Sequence, residues 1–185
     1  MITQPMTFTL RDGRGARLRA PEPSDAAALL DHLRITAGET DFLSRTPDEC
    51  SLTLEDEVRY IHALRESTSG YDILCEVDGH VAGTCRISFL GGFRRGHRAN
   101  VGIALQQAYW GLGIGTAMFT ELIALARRHG AEQVELSFTE GNHRARALYE
   151  KFGFRITGMT PRAIRLSDGS LVSEYHMMLL LEEDD

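Results

Sequence analysis

The run Gly111-Leu112-Gly113-Ile114-Gly115-Thr116 is the part of this 185-residue chain best suited to chemistry. Glycines at alternate positions let a backbone turn tightly and approach a ligand closely. The stretch after them, Thr116–His129, has apolar residues at helical spacing and ends at Gly130. A helix opening at these glycines presents unpaired N–H groups and the positive end of its dipole. Such a terminus holds phosphate oxygens without a lysine side chain. A nucleotide P-loop would need a lysine after its last glycine, and none follows here. A dinucleotide loop would need GxGxxG after a parallel strand, and this glycine spacing differs. An acyl-CoA pyrophosphate loop and a plain structural turn both stay open.

The other reactive side chains give weaker signals. Cys50, Cys75 and Cys85 are widely spaced, with no CxxC pair and no zinc signature. Cys75 and Cys85 sit in apolar stretches and read as small buried hydrophobes. An odd count without a disulfide framework suits a reducing cytoplasm. His97 and His143 read as surface histidines, and Arg94, Arg95 and Arg98 as a charged hairpin turn. Lys151 is the only lysine, so a phosphate site would rely on backbone amides and arginine. The net charge of −6 argues against a general nucleic-acid scaffold. No basic start precedes an apolar run, so no signal peptide is expected. No apolar stretch approaches the ~18 residues of a membrane span.

These residues need a frame. A short strand is expected at Ala16–Ala20, after a ragged polar start. Pro21–Asp25 reads as a turn and helix cap before a helix over Ala26–Ile35. Ala37–Ser51 reads as a surface loop. Thr53 and Asp56 resemble a capping box opening a second helix to about Glu66. Tyr71–Val77 and His80–Leu90 form a hairpin across Asp78-Gly79. Ala99–Leu105 continues the meander into the glycine turn. After the helix come a strand at Val134–Phe138, a helix at Asn142–Lys151 and a strand at Phe154–Thr160. Ala163–Leu166 and Leu171–Leu181 close with a hairpin, and 182–185 form an acidic solvated end. The order predicts one domain over 1–185, of mixed α/β class, with helices on both faces of the sheet.

The glycine loop and the segment Asn142–Phe154 together resemble the GNAT superfamily of acyl-CoA-dependent N-acyltransferases. That family's loop reads Q/R-x-x-G-x-G/A, and its later segment roughly N-x-x-A-x-x-L/F-Y-x-x-x-G-F. Gly113 and Gly115 match the first; Asn142, Ala145, Leu148, Tyr149, Gly153 and Phe154 match the second. Trp110 stands where the family often has Gln or Arg, which removes one side-chain phosphate contact. The resemblance implies a mixed, mostly antiparallel sheet splayed between its fourth and fifth strands, here Ala99–Leu105 and Val134–Phe138. CoA would lie in that split.

What the resemblance implies about roles is specific. Backbone amides of Gly111, Leu112, Gly113, Ile114, Gly115 and Thr116 would hold the pyrophosphate. Ile103 and Leu105 would pair with the pantetheine arm as with an added strand. Asn142 would hydrogen-bond that arm, or serve only as a helix cap, with Ala145 beside it. Tyr149, about two turns along the same helix, would protonate the leaving thiolate. Glu39 and Asp41 lie in the loop expected to line the acceptor site. Glu135 and Glu140 are further candidates for the base. The implied activity is acetyl transfer from acetyl-CoA to a primary amine of a small molecule or peptide, without metal, in a cytoplasmic protein for which a homodimer is one of the states left open. A protein N-terminus or lysine as acceptor, and a non-catalytic acyl-CoA sensor, are the alternatives.

Overall fold

Asp78 and Gly79 both take positive φ, 51° and 78°. A two-residue hairpin turn of this kind needs that sign at both central positions. It joins β3 (Gly70–Val77) to β4 (His80–Phe89). Thr53 caps α2 (Leu54–Glu66): its hydroxyl accepts the Asp56 N–H while the Asp56 carboxylate accepts the Thr53 N–H, the expected capping box. The remaining elements are β1 (Met6–Thr9), β2 (Gly15–Arg19), α1 (Ala26–Glu39), β5 (Arg98–Leu105), α3 (Ile114–Arg128), β6 (Gln133–Thr139), α4 (His143–Lys151), β7 (Arg155–Arg165) and β8 (Leu171–Leu180). They come from a computed structural model that describes residues 5–181. The expected acidic end 182–185 lies outside those residues.

All eight strands form one sheet in the order β1-β2-β3-β4-β5-β6-β8-β7. Every pairing is antiparallel except β5 with β6. Side chains alternate between the two faces. Ile73, Cys75, Cys85, Ile87, Ala99 and Val101 share one face and pack with Met118, Phe119 and Leu122 of α3 and Tyr149 of α4. On the other face α1 and α2 lie over β3 and β4, where His32 meets Thr84. Helices thus cover both faces, as expected. Cys75 and Cys85 are core residues at 0% and 3% exposure, and burial pushes both thiols up in pKa.

Four expectations need correction. Within the described residues the stretch before Ala16 is not ragged: Met6–Thr9 pairs with β2, and Met6 and Phe8 pack against the core, while residues 1–4 of the expected ragged start lie outside the described residues. The expected fourth and fifth strands are therefore β5 and β6. Helix α1 runs past Ile35 to Glu39, because Thr36 and Ala37 are buried against the core side, with the Thr36 hydroxyl satisfied by the His32 carbonyl at 2.8 Å. The expected loop at Ala37 accordingly begins at Thr40 and contains a short 3-10 turn, Pro47–Glu49. The stretches Phe154–Thr160 and Ala163–Leu166 are one strand, β7, with a register shift between Thr160 and Ile164. Pro161 has no N–H to give the ladder, and the bulge absorbs it.

His32 is 3% exposed, between Thr84 Oγ1 at 3.3 Å and Gln106 Nε2 at 3.4 Å. Burial lowers its pKa to about 4. The unfolded chain, whose histidine titrates near ~6.5, binds this proton first as pH falls. Stability carried by neutral His32 is therefore present above pH ~6.5 and lost as pH drops towards about 4. The loss between pH 7 and pH 4 is ~3 kcal/mol. Urea denaturation of the His32→Gln variant at the two pH values should show a loss smaller than wild type by that amount. Equal losses would remove His32 as the source.

Candidate functional site

Strands β5 and β6 pair only at Arg98–Gln133, Ala99–Val134 and Asn100–Glu135. Beyond these three the ladder ends, at the expected place. On its other side β5 stays bonded to β4: the Leu90 N–H donates to the Arg98 carbonyl and the Gln106 N–H to the Ala82 carbonyl. Those bonds put the even-numbered residues of β5 in the hydrogen-bonded pairs. The backbone groups of Val101, Ile103 and Leu105 therefore point away from β4, into the split. Trp110 Nε1–H donates to the Leu105 carbonyl at 2.8 Å. Among the described residues, the Leu105 N–H and both Ile103 groups lack a strand partner.

The glycine loop sits at the open end of this split. Gly111 and Gly113 take φ of 77° and 101°, a region that L side chains avoid. Gly113 is the N-cap of α3 and has no side chain to cap with. Outside the helix, the N–H groups of Gly111 through Thr116 find no backbone or side-chain acceptor among the described residues. Three cations surround them. Arg11 donates to the Gly111 carbonyl at 3.3 Å. The Arg144 guanidinium lies over the Trp110 ring, 4.8 Å from its centre. Lys151 reaches Thr116 Oγ1 at 3.3 Å. The expectation of amides and arginine alone is thus incomplete, since α4 brings the only lysine to the loop.

The later segment forms the opposite wall. Asn142 caps α4, its side-chain oxygen accepting the Ala145 N–H at 3.1 Å. Its amide NH₂ stays available as a donor. Tyr149 is 6% exposed and packs on Phe119, with ring centres 5.2 Å apart. Burial raises its pKa to about 12. The phenol therefore keeps its proton throughout the neutral range.

These walls enclose a cleft of about 430 Å³. Ile103, Leu105, Gly111, Gly113, Gly115, Thr116, Asn142, Ala145 and Tyr149 line it. Leu112 and Ile114 do not; their side chains turn to the core, which leaves only their backbone toward the loop. Nor do Glu39 and Asp41 line it. Glu39 Oε2 accepts the Gln107 N–H at 2.7 Å, and Asp41 Oδ2 accepts the Ser167 hydroxyl at 2.8 Å. Their neighbours Thr40, Phe42 and Leu43 reach the cleft instead. Glu135 is held by Arg98 at 2.7 Å, Glu140 by the Ser173 N–H at 2.8 Å, and both pKa values are lowered by these bonds. Sequence reading missed Arg11, Lys151 and the Trp110–Arg144 stack as parts of the site. A tryptophan before a glycine turn, with an arginine in the partner motif, was the one available signal.

Known proteins resemble this chain in sequence and in fold. A Bacillus subtilis protein assigned as a ribosomal-protein-alanine N-acetyltransferase is 29% identical over 100 residues, which is 54% of this chain and 64% of that protein. The Escherichia coli L-amino acid N-acetyltransferase AaaT is 30% identical over 102 residues, 55% of this chain and 62% of AaaT. The matches span somewhat less than two thirds of either relative. A solved GNAT-family acetyltransferase from Streptococcus pneumoniae superposes with a TM-score of 0.84 at 29% identity, covering 90% of this chain and 99% of that one. The sequence profile of the acetyltransferase (GNAT) family matches residues 37–154. That span is more than half of the chain and carries both walls of the cleft, so the chain belongs to the GNAT acetyltransferase family.

Proposed function

We propose that the chain transfers an acetyl group from acetyl-CoA to the α-amine of an amino acid or of a peptide. One observation carries this reading: the uncapped N–H groups of α3, the unpaired edge of β5 and the Tyr149 phenol open onto one cleft. The residues present fit CoA. Free N–H groups and three flanking cations suit a pyrophosphate. The open backbone groups of Ile103 and the Leu105 N–H suit the amides of the pantetheine arm. When bound, CoA supplies a thioester whose carbonyl an amine can attack. The two curated relatives point to the same acceptor chemistry, since alanine N-termini and free L-amino acids both present an α-amine.

The role of Tyr149 follows from magnitudes. A thiol ionises near ~8.5, whereas this phenol does so at about 12. Full proton transfer to a departing thiolate is therefore uphill. The phenol acts by donating a hydrogen bond to the sulfur as charge develops there. The surplus amine proton completes the thiol. Backbone amides of β5 can at the same time polarise the carbonyl.

A panel of free L-amino acids, an alanyl peptide and an Nα-blocked lysine decides the acceptor by thiol release. Turnover on the first two and not the third is the expected result; turnover on lysine alone would sink the α-amine assignment. Binding of acetyl-CoA without turnover on any of them would establish a sensor instead. Tyr149→Phe should lower kcat about 10²-fold with acetyl-CoA affinity within a few-fold, read by stopped-flow and calorimetry. Unchanged kcat would remove the phenol from the mechanism. Gly113→Glu should weaken acetyl-CoA roughly 10²–10³-fold, the scale of like charges ~4 Å apart at an effective dielectric of ~20. Nothing lies within 4 Å of a Cβ there, so the effect comes from φ and charge rather than from packing. Retained affinity in titration calorimetry would refute the loop assignment.

A further inference from the structure

The acceptor of such a transfer arrives as an ammonium ion and must lose a proton before it attacks. Four carboxylates near the split are committed elsewhere: Glu39 to Gln107, Asp41 to Ser167, Glu135 to Arg98, Glu140 to Ser173. Glu174, opposite Thr139, has no side-chain partner among the described residues and no relay behind it. His143 lines the cleft, but it is exposed and no partner orients its ring among the described residues. The opposite face of the sheet offers another group. Ser137 on β6 stands directly across from His176 on β8. Ser137 Oγ lies 2.9 Å from His176 Nδ1, and Thr160 Oγ1 lies 2.9 Å from His176 Nε2.

The position of this pair is fixed by register. The last β5–β6 pair is Asn100–Glu135, so Ser137 is level with Gly102, where the strands have just parted. Glu135, Ser137 and Thr139 share the face away from α3, while Leu136 and Phe138 belong to the α3-side core. Thr139 Oγ1–H donates to the Phe42 carbonyl at 3.3 Å, and Phe42 lines the cleft. The acceptor end of the cleft and the Ser137–His176 pair therefore lie over one face. A cavity of about 440 Å³, lined by Asn100, Val101, Glu135, Ser137 and His176 among others, opens beside them. It has room for the substituents of an amino acid or a peptide terminus.

Resting on the acetyltransferase reading, we propose that Ser137 and His176 form the proton relay that activates the acceptor amine. The His176 Nε2–H donates to Thr160 Oγ1, which leaves Nδ1 as the acceptor of the Ser137 O–H. Ser137 takes one proton from the ammonium and passes its own to Nδ1. The free amine then attacks the thioester carbonyl. The C–N bond forms, the C–S bond breaks, and the second amine proton goes to the thiolate. The imidazolium returns its proton to solvent. Arg98 and Glu135 from β5 and β6, Glu174 from β8 and Arg155 from β7 are the charged groups on this face around the ring.

The test uses acetyl-CoA with a free L-amino acid and an alanyl peptide as ammonium acceptors, and hydroxylamine as an acceptor uncharged at neutral pH. His176→Gln should lower kcat/KM for the ammonium acceptors about 10²-fold and leave hydroxylamine within a few-fold. Its kcat/KM should rise with pH in step with the free-amine fraction, whereas the relay predicts a plateau for the wild type. Ser137→Ala, an exposed position that folding tolerates, should do the same. Equal loss with hydroxylamine, or loss of the plateau in His143→Ala instead, overturns the relay while wild-type turnover keeps the acetyltransferase reading intact. Wild type that acetylates no acceptor removes that reading itself. Nitrogen NMR of the free protein gives an answer without turnover: the Nε2–H tautomer at His176 is expected, and the Nδ1–H tautomer overturns the relay.

Discussion

The structure turns on a ladder that stops. After three parallel pairs β5 and β6 separate, and a sheet that separates exposes backbone donors and acceptors inside the molecule. Such groups are costly unless something pairs with them. The protein satisfies part of the demand itself. Trp110 takes the Leu105 carbonyl, and Thr139 ties the parted end of β6 to Phe42. The Ile103 groups and the Leu105 N–H are left over, facing the cleft. An extended ligand with amides of its own is the natural complement to an edge of that kind.

The same opening sets the electrostatics. The chain carries a net charge of −6, yet Arg11, Arg144 and Lys151 converge on one loop. Their positive charges add to the partial charge of the N–H groups from Gly111 to Thr116, leading into α3, which find no acceptor among the described residues. A local reversal of sign on an acidic protein focuses an anion to one spot. The reversal is assembled from two places distant in sequence: the turn after β1 and helix α4, which gives one cation from its first turn and one from its last. Arg144 is further placed by the Trp110 ring, which the Leu105 bond holds in turn. The residue that departs from the family's loop pattern thus both closes one carbonyl and seats a cation.

Legibility in the sequence followed locality. The Asp78-Gly79 turn, the Thr53 cap, the glycine loop and Asn142–Tyr149 are set by residues within a few positions of each other, and each was readable. Arg11 was not, because Met6–Thr9 is too short to announce a strand before its partner is known. The roles of Glu39 and Asp41 were hidden for a different reason. A loop carboxylate looks free until the strand order brings Gln107 and Ser167 to it. The Ser137–His176 contact was hidden most deeply, because β8 inserts between β6 and β7. Only that non-sequential order places position 176 beside 137.

The split also reconciles two demands that an unbroken sheet could not meet. Tyr149 is rooted in the α3-side core, packed on Phe119 and Phe138. Ser137 and His176 lie on the opposite face. A reaction that takes a proton from an incoming amine and steadies a departing sulfur needs two different groups, one on each side of the carbonyl. A continuous ladder between β5 and β6 would wall these groups off from each other. Parting the strands at Asn100 leaves a window at the level of Gly102, a residue with no side chain to block it. Nothing lies within 4 Å of a Cβ built there, so filling that space with a larger side chain would narrow the window without disturbing the fold on either side. The missing hydrogen bonds of the sheet and the passage between its faces are the same structural feature.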